Sequence, residues 1–309
     1  MDKQVLEYDA VIIGGGPAGL SAGIYIARGN LKAAILDINM LGGQPTNYLE
    51  IENYPAMPLI GGFELMEQFE AHADKFGIEK FPMEEIVALN LIGKEKTVET
   101  QDKIFNSKAV IIATGAKSKK LEIPGEDKFI GRGVSYCAVC DGAFFKDKVI
   151  CVIGGGNSAI EEAIYLTKFA SKVYLIHRRD ELRADKIIQE RAKNNPKIEF
   201  VLDTVPLEIK GENKVESILV KNVKTGKTKE LSLSGVFPFI GFTPNNELFK
   251  NIIKTDLAGF IETDETMHTN VRGIFAIGDV RSTPLRQVIT AAADGAVAAT
   301  YVIRMLEAE

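Results

Sequence analysis

Cysteine is nearly absent from this 309-residue chain, which holds only Cys137, Cys140 and Cys151. Histidine is as scarce, with His72, His177 and His268. A zinc site needs four ligands, usually from two cysteine pairs or from one pair with added histidines, and no second pair is present. No metal site is expected. A basic excess is also lacking: 37 Lys and Arg stand against 42 Asp and Glu, a net charge of −5, which offers no electrostatic footprint to nucleic acid or to an anionic membrane surface. Small molecules or proteins are the expected partners. The opening MDKQVLEY has no apolar signal-peptide core, and no later run is expected to reach the length that spans a bilayer. A cytoplasmic setting follows as the expectation. In that reducing compartment a structural disulfide does not persist, so a close cysteine pair reads as a redox or metal device. What the chain does have is 46% hydrophobic and 26% charged residues, the balance of a globular protein long enough for two cores.

One device occurs twice. Residues 10–28 read AVIIGGGPAGLSAGIYIAR and residues 149–169 read VICVIGGGNSAIEEAIYLTKF. Each is a β-branched run, a glycine cluster and an alanine-rich stretch with apolar residues at helical spacing, which predicts strand, tight turn and helix. The fingerprints are Gly14-x-Gly16-x-x-Gly19 and Gly154-x-Gly156-x-x-Ala159. In such a turn the first glycine makes the bend, the second lets a pyrophosphate approach the backbone, and the third, or a small alanine, lets helix and strand pack closely. The phosphate then sits on unpaired N–H groups at the positive end of the helix. One glycine fingerprint alone is as well explained by structure; two in the same context predict two dinucleotides.

The residues after each helix differ. KAAILD ends in Asp37, placed where a carboxylate can accept hydrogen bonds from ribose hydroxyls, which favours an unphosphorylated ribose. KVYLIHRRDELRA instead brings His177, Arg178 and Arg179, with Arg183 following. Guanidinium groups there can fork onto a 2′-phosphate, so the second nucleotide reads as NADP. The bland alternative is a solvated basic helix start.

The second module interrupts the first. After KAVIIATGA comes the Pro- and Gly-bearing connector LEIPGEDKFIGRG, and GIFAIGDV (Gly273–Val280) returns to the strand-then-glycine style of the first half. The expected fold is α/β: two Rossmann-like, three-layer nucleotide-binding domains, the second inserted into the first. The segments are 1–116, 117–241 and 242–309, with two crossings that can serve as hinges. From Pro284, placed at a first helical turn, to Leu306 an amphipathic closing helix is expected.

YCAVCDG (Tyr136–Gly142) lies inside the insert. Cys-x-x-Cys beside two nucleotide folds is best explained as a reversible dithiol/disulfide, because a thiolate exchanges with a partner disulfide. Asp141 is either a proton carrier beside the sulfurs or a helix cap, and the two roles are compatible. Cys151, in the apolar run VICVIG, reads as a buried inert thiol.

In order along the chain, GGGPAG, GGQ, IENYP, IATGA, GRGVSYCAVCDG, GGGNSA, HRRDELRA, FAIGDV and RQVITAAADG resemble the low-molecular-weight thioredoxin reductases of the bacterial and archaeal type. That resemblance implies FAD on the outer segments, NADPH on the insert, a homodimer, and thioredoxin as the protein substrate. It implies that Gly14, Gly16, Pro17, Ala18 and Gly19 hold the FAD pyrophosphate, with Gly43, Thr114, Gly115, Gly278 and Arg286 also at the FAD site. Gln44 and Asn53 would lie near the flavin, Asp279 would bond a ribityl hydroxyl, and Gln287 and Val288 would meet the pyrimidine edge. Gly154, Gly156, Asn157 and Ser158 would line the NADPH turn. Cys140 would face the flavin, Cys137 would attack the thioredoxin disulfide, and Asp141 would act as acid and base. Hydride would pass from NADPH to FAD and on to the cysteine pair, with the insert rotating between two states. The stretch QPTNYLE departs from a threonine-rich stretch of that family. Some relatives have lost the arginine cluster and take electrons from ferredoxin; retention of Arg178, Arg179 and Arg183 argues against that variant. Kept as alternatives are NADH or ferredoxin as donor, a thioredoxin-like or glutaredoxin-like acceptor, an NAD(P)H oxidase, and a flavin-binding sensor.

Overall fold

Runs such as AVII and AAIL, apolar at every position, form strands whose two faces are both buried, and this is the signature of parallel sheets covered on both sides. The computed structural model describes residues 3–48, 51, 53–136 and 138–308, apart from the side chains of Val139 and Cys140. They fall into two compact units, residues 1–117 with 243–309, and residues 118–242. In chain order the principal elements begin with β1 (Ala10–Ile13), α1 (Pro17–Arg28), β2 (Ala33–Leu36), α2 (Gly62–Asp74), β3 (Glu79–Phe81) and β4 (Ala109–Ile112). The second unit holds α3 (Ala138–Asp141), β5 (Val149–Gly154), α4 (Asn157–Leu166), β6 (Lys172–Ile176), α5 (Lys186–Lys193), β7 (Ile198–Val201) and β8 (Gly235–Phe239). The chain closes the first unit with β9 (Ile274–Ala276) and α6 (Val288–Glu307).

In the outer unit the sheet order is β9-β4-β1-β2-β3 and every pairing is parallel. The inserted unit repeats it as β8-β5-β6-β7, again all parallel. In both, the strand order reverses beside the strand that precedes the glycine cluster, and the crevice at such a switch point is where open α/β sheets bind ligands.

The repeat is deeper than its glycines. Just before β4 the outer unit inserts strands 88–90, 96–99 and 103–107, the last of which also pairs in parallel with 4–7. Just before β8 the inserted unit places the antiparallel strands 204–210, 217–222 and 228–232. Each unit is therefore a helix layer, a parallel sheet and a second sheet. Alternation along the central strand fills both cores. Ala10 and Ile12 pack with Leu20, Ala298 and Val302, whereas Val11 and Ile13 pack with Leu91, Val98 and Phe105. Likewise Ile150 and Val152 pack towards α4, while Cys151 and Ile153 face Ile209, Ile218 and Leu231. Full burial pushes the Cys151 thiol far above its ordinary value, which makes it unreactive.

α6 departs from expectation twice. It starts at Val288, not near Pro284, because Gln287 is the N-cap and its backbone N–H donates to Thr290 Oγ1 at 3.1 Å. Its 20 residues include an 18-residue window of mean hydropathy 1.3, which also makes it long and apolar enough to cross a membrane by length and composition, although no run was expected to be. Alanine explains both its hydropathy and its use: small residues let α6 lie close on α1, and a Cβ on Gly295 would stand 2.3 Å from the carbonyl oxygen of Ala18.

Candidate functional site

The glycine turn after β1 is set by what a side chain would strike. Gly14 has φ +112°, and a Cβ there would lie 2.3 Å from Ala113 O at the end of β4. At Gly19 it would lie 1.9 Å from Gly14 O, so this glycine serves helix–strand packing. Gly16 is different: no protein atom comes nearer than 3.9 Å to where its Cβ would be. Nothing inside the unit needs a glycine there.

Several separated segments close around that turn. Gly42 N–H donates to Gly15 O at 2.9 Å, and Gly43 lies so near that its Cβ would be 3.1 Å from Gly16 Cα. Gln44 Nε2 donates to Ala116 O at 3.2 Å, and Thr114 Oγ1 donates to Asn245 O at 2.6 Å. Gly278 folds against the first turn of α1, where its Cβ would be 3.0 Å from that of Ala18. Asn53 Nδ2 donates to Gln287 Oε1 at 2.9 Å across 234 residues of sequence. Val288 packs with Ile51, Ile60, Leu65 and Met66. Gly115 has φ +67°, one residue before Gln44's carbonyl partner.

Asp37 lies at the other side of the turn. Its Oδ2 accepts Gly15 N–H at 2.7 Å and its Oδ1 accepts Asn39 N–H at 2.8 Å. Each carboxylate oxygen accepts twice, so both retain a place for a hydroxyl. Asp279 accepts no hydrogen bond from any described residue, and burial pushes its carboxyl up; the Arg286 charge opposes this and Asp294 adds to it. Arg286 stacks its guanidinium 3.9 Å from the Phe260 ring centre and keeps a buried Nε without a partner. Two residues that motif reading missed hold this corner: Asp294 Oδ2 accepts Gly278 N–H at 3.0 Å and Arg281 Nε at 2.7 Å. The signal was an acid set within the alanine run of α6.

The inserted unit builds its turn in the same way. A Cβ on Gly154 would stand 2.3 Å from Phe239 O and 2.6 Å from the Ala159 side chain, whereas around Gly156 there is nothing within 4 Å. Gly154 follows Gly14 by 140 positions, and His177 follows Asp37 by the same interval. His177 thus stands where the first unit has its carboxylate. It is not an outward partner of the arginines: it is only 6% exposed, with its ring beneath Gly155. Burial first, then the charges of Arg183, Arg178 and Arg179, hold it below the ordinary imidazole range. A neutral ring thus stands where the first unit has an anion. Arg178, Arg179 and Arg183 are exposed and make no ion pair with any described residue, while their neighbour Asp180 is taken by Lys224 at 2.7 Å. Asn157 Nδ2 donates to Asp185 Oδ2, and Asp185 N–H donates back to Asn157 Oδ1, both at 2.8 Å. This clamp, with Arg183 N–H donating to Gly155 O at 2.7 Å, ties the arginine loop to the turn. Ser158 opens α4 beside it.

Of the cysteine motif, Cys137 lies outside the described residues, as does the side chain of Cys140, whose backbone belongs to α3. Asp141 ends α3 and precedes the 3₁₀ turn Gly142–Phe145, but its side chain makes no capping bond there. Phe145 is core, edge-to-face with Phe237 at 5.2 Å, and Phe144 is 71% exposed.

The sequence profile of the pyridine nucleotide-disulphide oxidoreductases matches residues 8–295. The chain belongs to that family. It is a flavin-dependent oxidoreductase, as the family is. Within the family it is 47% identical over 308 residues to a thioredoxin reductase of Peptoclostridium acidaminophilum, covering 97% of this chain and 98% of the relative. Against the thioredoxin reductase of Bacillus subtilis identity is 46% over 304 residues, covering 97% and 95%. A crystal structure of Lactococcus lactis thioredoxin reductase superposes with a TM-score of 0.94 at 48% identity, covering 98% of this chain and all of that one.

Buried in α4 is one acid that no nucleotide contact explains. Glu162 is 8% exposed, and burial, followed by the charge of Glu161, raises its carboxyl from 4.5 to about 7. The folded form therefore binds a proton that the unfolded form gives up between those values, and the native state is penalised increasingly as pH rises to about 7. Glu162→Gln is expected to gain stability relative to the parent by about 3 kcal/mol at pH 8 and by less than about 1 kcal/mol at pH 5. Thermal melts of both proteins across that range check this; a difference that does not change with pH would contradict it.

Proposed function

We propose that this chain is an NADPH-dependent thioredoxin-disulfide reductase carrying FAD in its outer unit and NADPH in its inserted unit. The observation that carries the cofactor assignment is the repeated turn, with an acceptor carboxylate at Asp37 in one copy and a neutral, buried His177 beside three guanidiniums that pair with no described residue in the other. Room at Gly16 and Gly156 supports a pyrophosphate at each turn. Bound FAD would supply an acceptor for nicotinamide hydride and a source of the electron pair that opens a disulfide. In this reading Asp37 takes ribose hydroxyls, Asp279 a ribityl hydroxyl, and Gln44, Asn53, Gln287 and Val288 orient the ring. Cys140 closes the internal disulfide, Cys137 attacks the thioredoxin disulfide, and Asp141 moves the proton. The exposed Phe144 gives the protein substrate an apolar edge to dock on. Rotation of the insert about its two crossings is part of the proposed cycle, since the nicotinamide and the cysteine pair belong to one unit and must both reach the flavin. A cytoplasmic homodimer completes the proposal, resting on the family resemblance and on the need of an exchangeable dithiol for a reducing compartment.

Anaerobic titration of the yellow holoenzyme tests this. NADPH should bleach the flavin, and oxidised thioredoxin should then restore it. Replacing both Arg178 and Arg179 by alanine should lower the preference for NADPH over NADH about tenfold to a hundredfold, the loss of one or two charge-assisted phosphate contacts. Failure of either nucleotide to bleach the flavin would move the donor to ferredoxin or another carrier.

A further inference from the structure

Inside the inserted unit a buried acid holds a tyrosine directly before the first cysteine. Glu126 is 2% exposed, yet its carboxylate accepts three hydrogen bonds: Leu121 N–H at 2.8 Å, Glu122 N–H at 2.7 Å and the Tyr136 hydroxyl at 2.5 Å. The chain bends round this carboxylate at a conformational cost, since Glu122 has φ +57°, a region that side-chain-bearing residues seldom adopt. The loop is fixed from outside as well. Ile209 N–H donates to Pro124 O at 2.9 Å, and Gly125 lies so close to the same strand that its Cβ would be 2.0 Å from Ile209 O.

Among the described residues, the segment leading to the cysteines is secured by backbone bonds as far as Ser135. Val236 N–H donates to Gly133 O at 2.8 Å and Ser135 N–H to Val236 O at 3.0 Å, along the edge of β8. The next residue, Tyr136, is tied down through its side chain. Burial first, then the bond to Glu126 and the charges of Glu126 and Asp127, push its phenol well above the ordinary value, so it stays a donor throughout the working pH range. A hydroxyl on a carboxylate is the strong kind of hydrogen bond, about twice as strong as a neutral one.

We propose that Tyr136 and Glu126 are positioning residues for the Cys137–Cys140 pair: their bond anchors the residue that enters Cys137 and so sets the pair's dithiol–disulfide equilibrium. This rests on the reading of those cysteines as the redox pair. Forming a disulfide requires the two sulfurs to be held together, whereas the dithiol tolerates a looser chain. Releasing the anchor therefore favours the dithiol.

The test uses holoenzyme equilibrated anaerobically in glutathione buffers, with thiols trapped and counted by mass. One chain disulfide takes up two electrons and two protons as two glutathione thiols become one glutathione disulfide. In both Tyr136→Phe and Glu126→Ala the equilibrium constant for reduction should rise about tenfold, a potential about 30 mV less negative. Ser217→Ala, which removes a hydroxyl–carboxylate bond of the same 2.5 Å length to Glu230 elsewhere in the unit, should stay within about twofold of the parent. The double variant should shift no further than Glu126→Ala alone, because once the carboxylate is gone the Tyr136 hydroxyl has no anchor left to lose. A lowered melting temperature with an unchanged equilibrium in both single variants would overturn the proposal and leave the anchor purely structural. If instead the parent shows no pair of thiols that exchange with glutathione, the reading of the redox pair fails, and the proposal with it.

Discussion

Cys140→Ser is expected to cut thioredoxin reduction by at least about a thousandfold while NADPH still bleaches the flavin. With one sulfur gone no internal disulfide exists to accept the electron pair, whereas the two nucleotide turns are untouched. Cys137→Ser should give the same overall loss, since it too leaves no internal disulfide and also removes the thiol that in this reading attacks the protein disulfide. Stopped-flow bleaching alongside a steady-state thioredoxin assay separates the two half-reactions. Retention of thioredoxin turnover in either variant would remove the cysteine pair from the mechanism. Cys151→Ala provides the contrast, because that thiol is sealed against the second sheet and unreactive.

The second large effect distinguishes glycines that serve the fold from glycines that serve a ligand. Gly156→Val adds a side chain where no protein atom lies within 4 Å. The unit should fold and keep its flavin, with KM for NADPH raised about a hundredfold, equivalent to about 3 kcal/mol of lost phosphate contact. Gly19→Ala should do the reverse. Its Cβ would meet Gly14 O at 1.9 Å, so the expected outcome is loss of folded, flavin-loaded protein. Flavin content and NADPH kinetics on the two variants check the contrast, and a KM for NADPH at the parental value in Gly156→Val would mean that the pyrophosphate does not cross this turn.

Much of the α/β architecture was legible because its signals are local. A β-branched run of four to six residues, a glycine where φ must be positive, and alanines at helical spacing all act over about ten residues, so the two strand–turn–helix units could be read without knowing any partner. The layers behind the sheets could not. Strands such as Thr228–Ser232 alternate only one buried face, and what they cover is decided by residues more than fifty positions away. α6 shows the same limit from the other side: hydropathy counts alanine as apolar whether it faces a lipid or α1, and only the approach of Gly295 to Ala18 tells which.

Within the site, residue types were readable and partnerships were not. Asp37 and the run His177-Arg178-Arg179 stood out by composition and spacing, yet the sequence could not say that His177 turns inward beneath Gly155 while the arginines pair with no described residue. Nor could it pair Asn53 with Gln287 or bring Glu126 to Tyr136. By itself the sequence determined where the backbone must bend and where a phosphate can approach, because those depend on a missing Cβ. Only the tertiary structure decided which carboxylates are occupied, which cations are left unpaired and which tyrosine is anchored, because a buried polar group takes its partner from whatever the packed chain brings within about 3 Å.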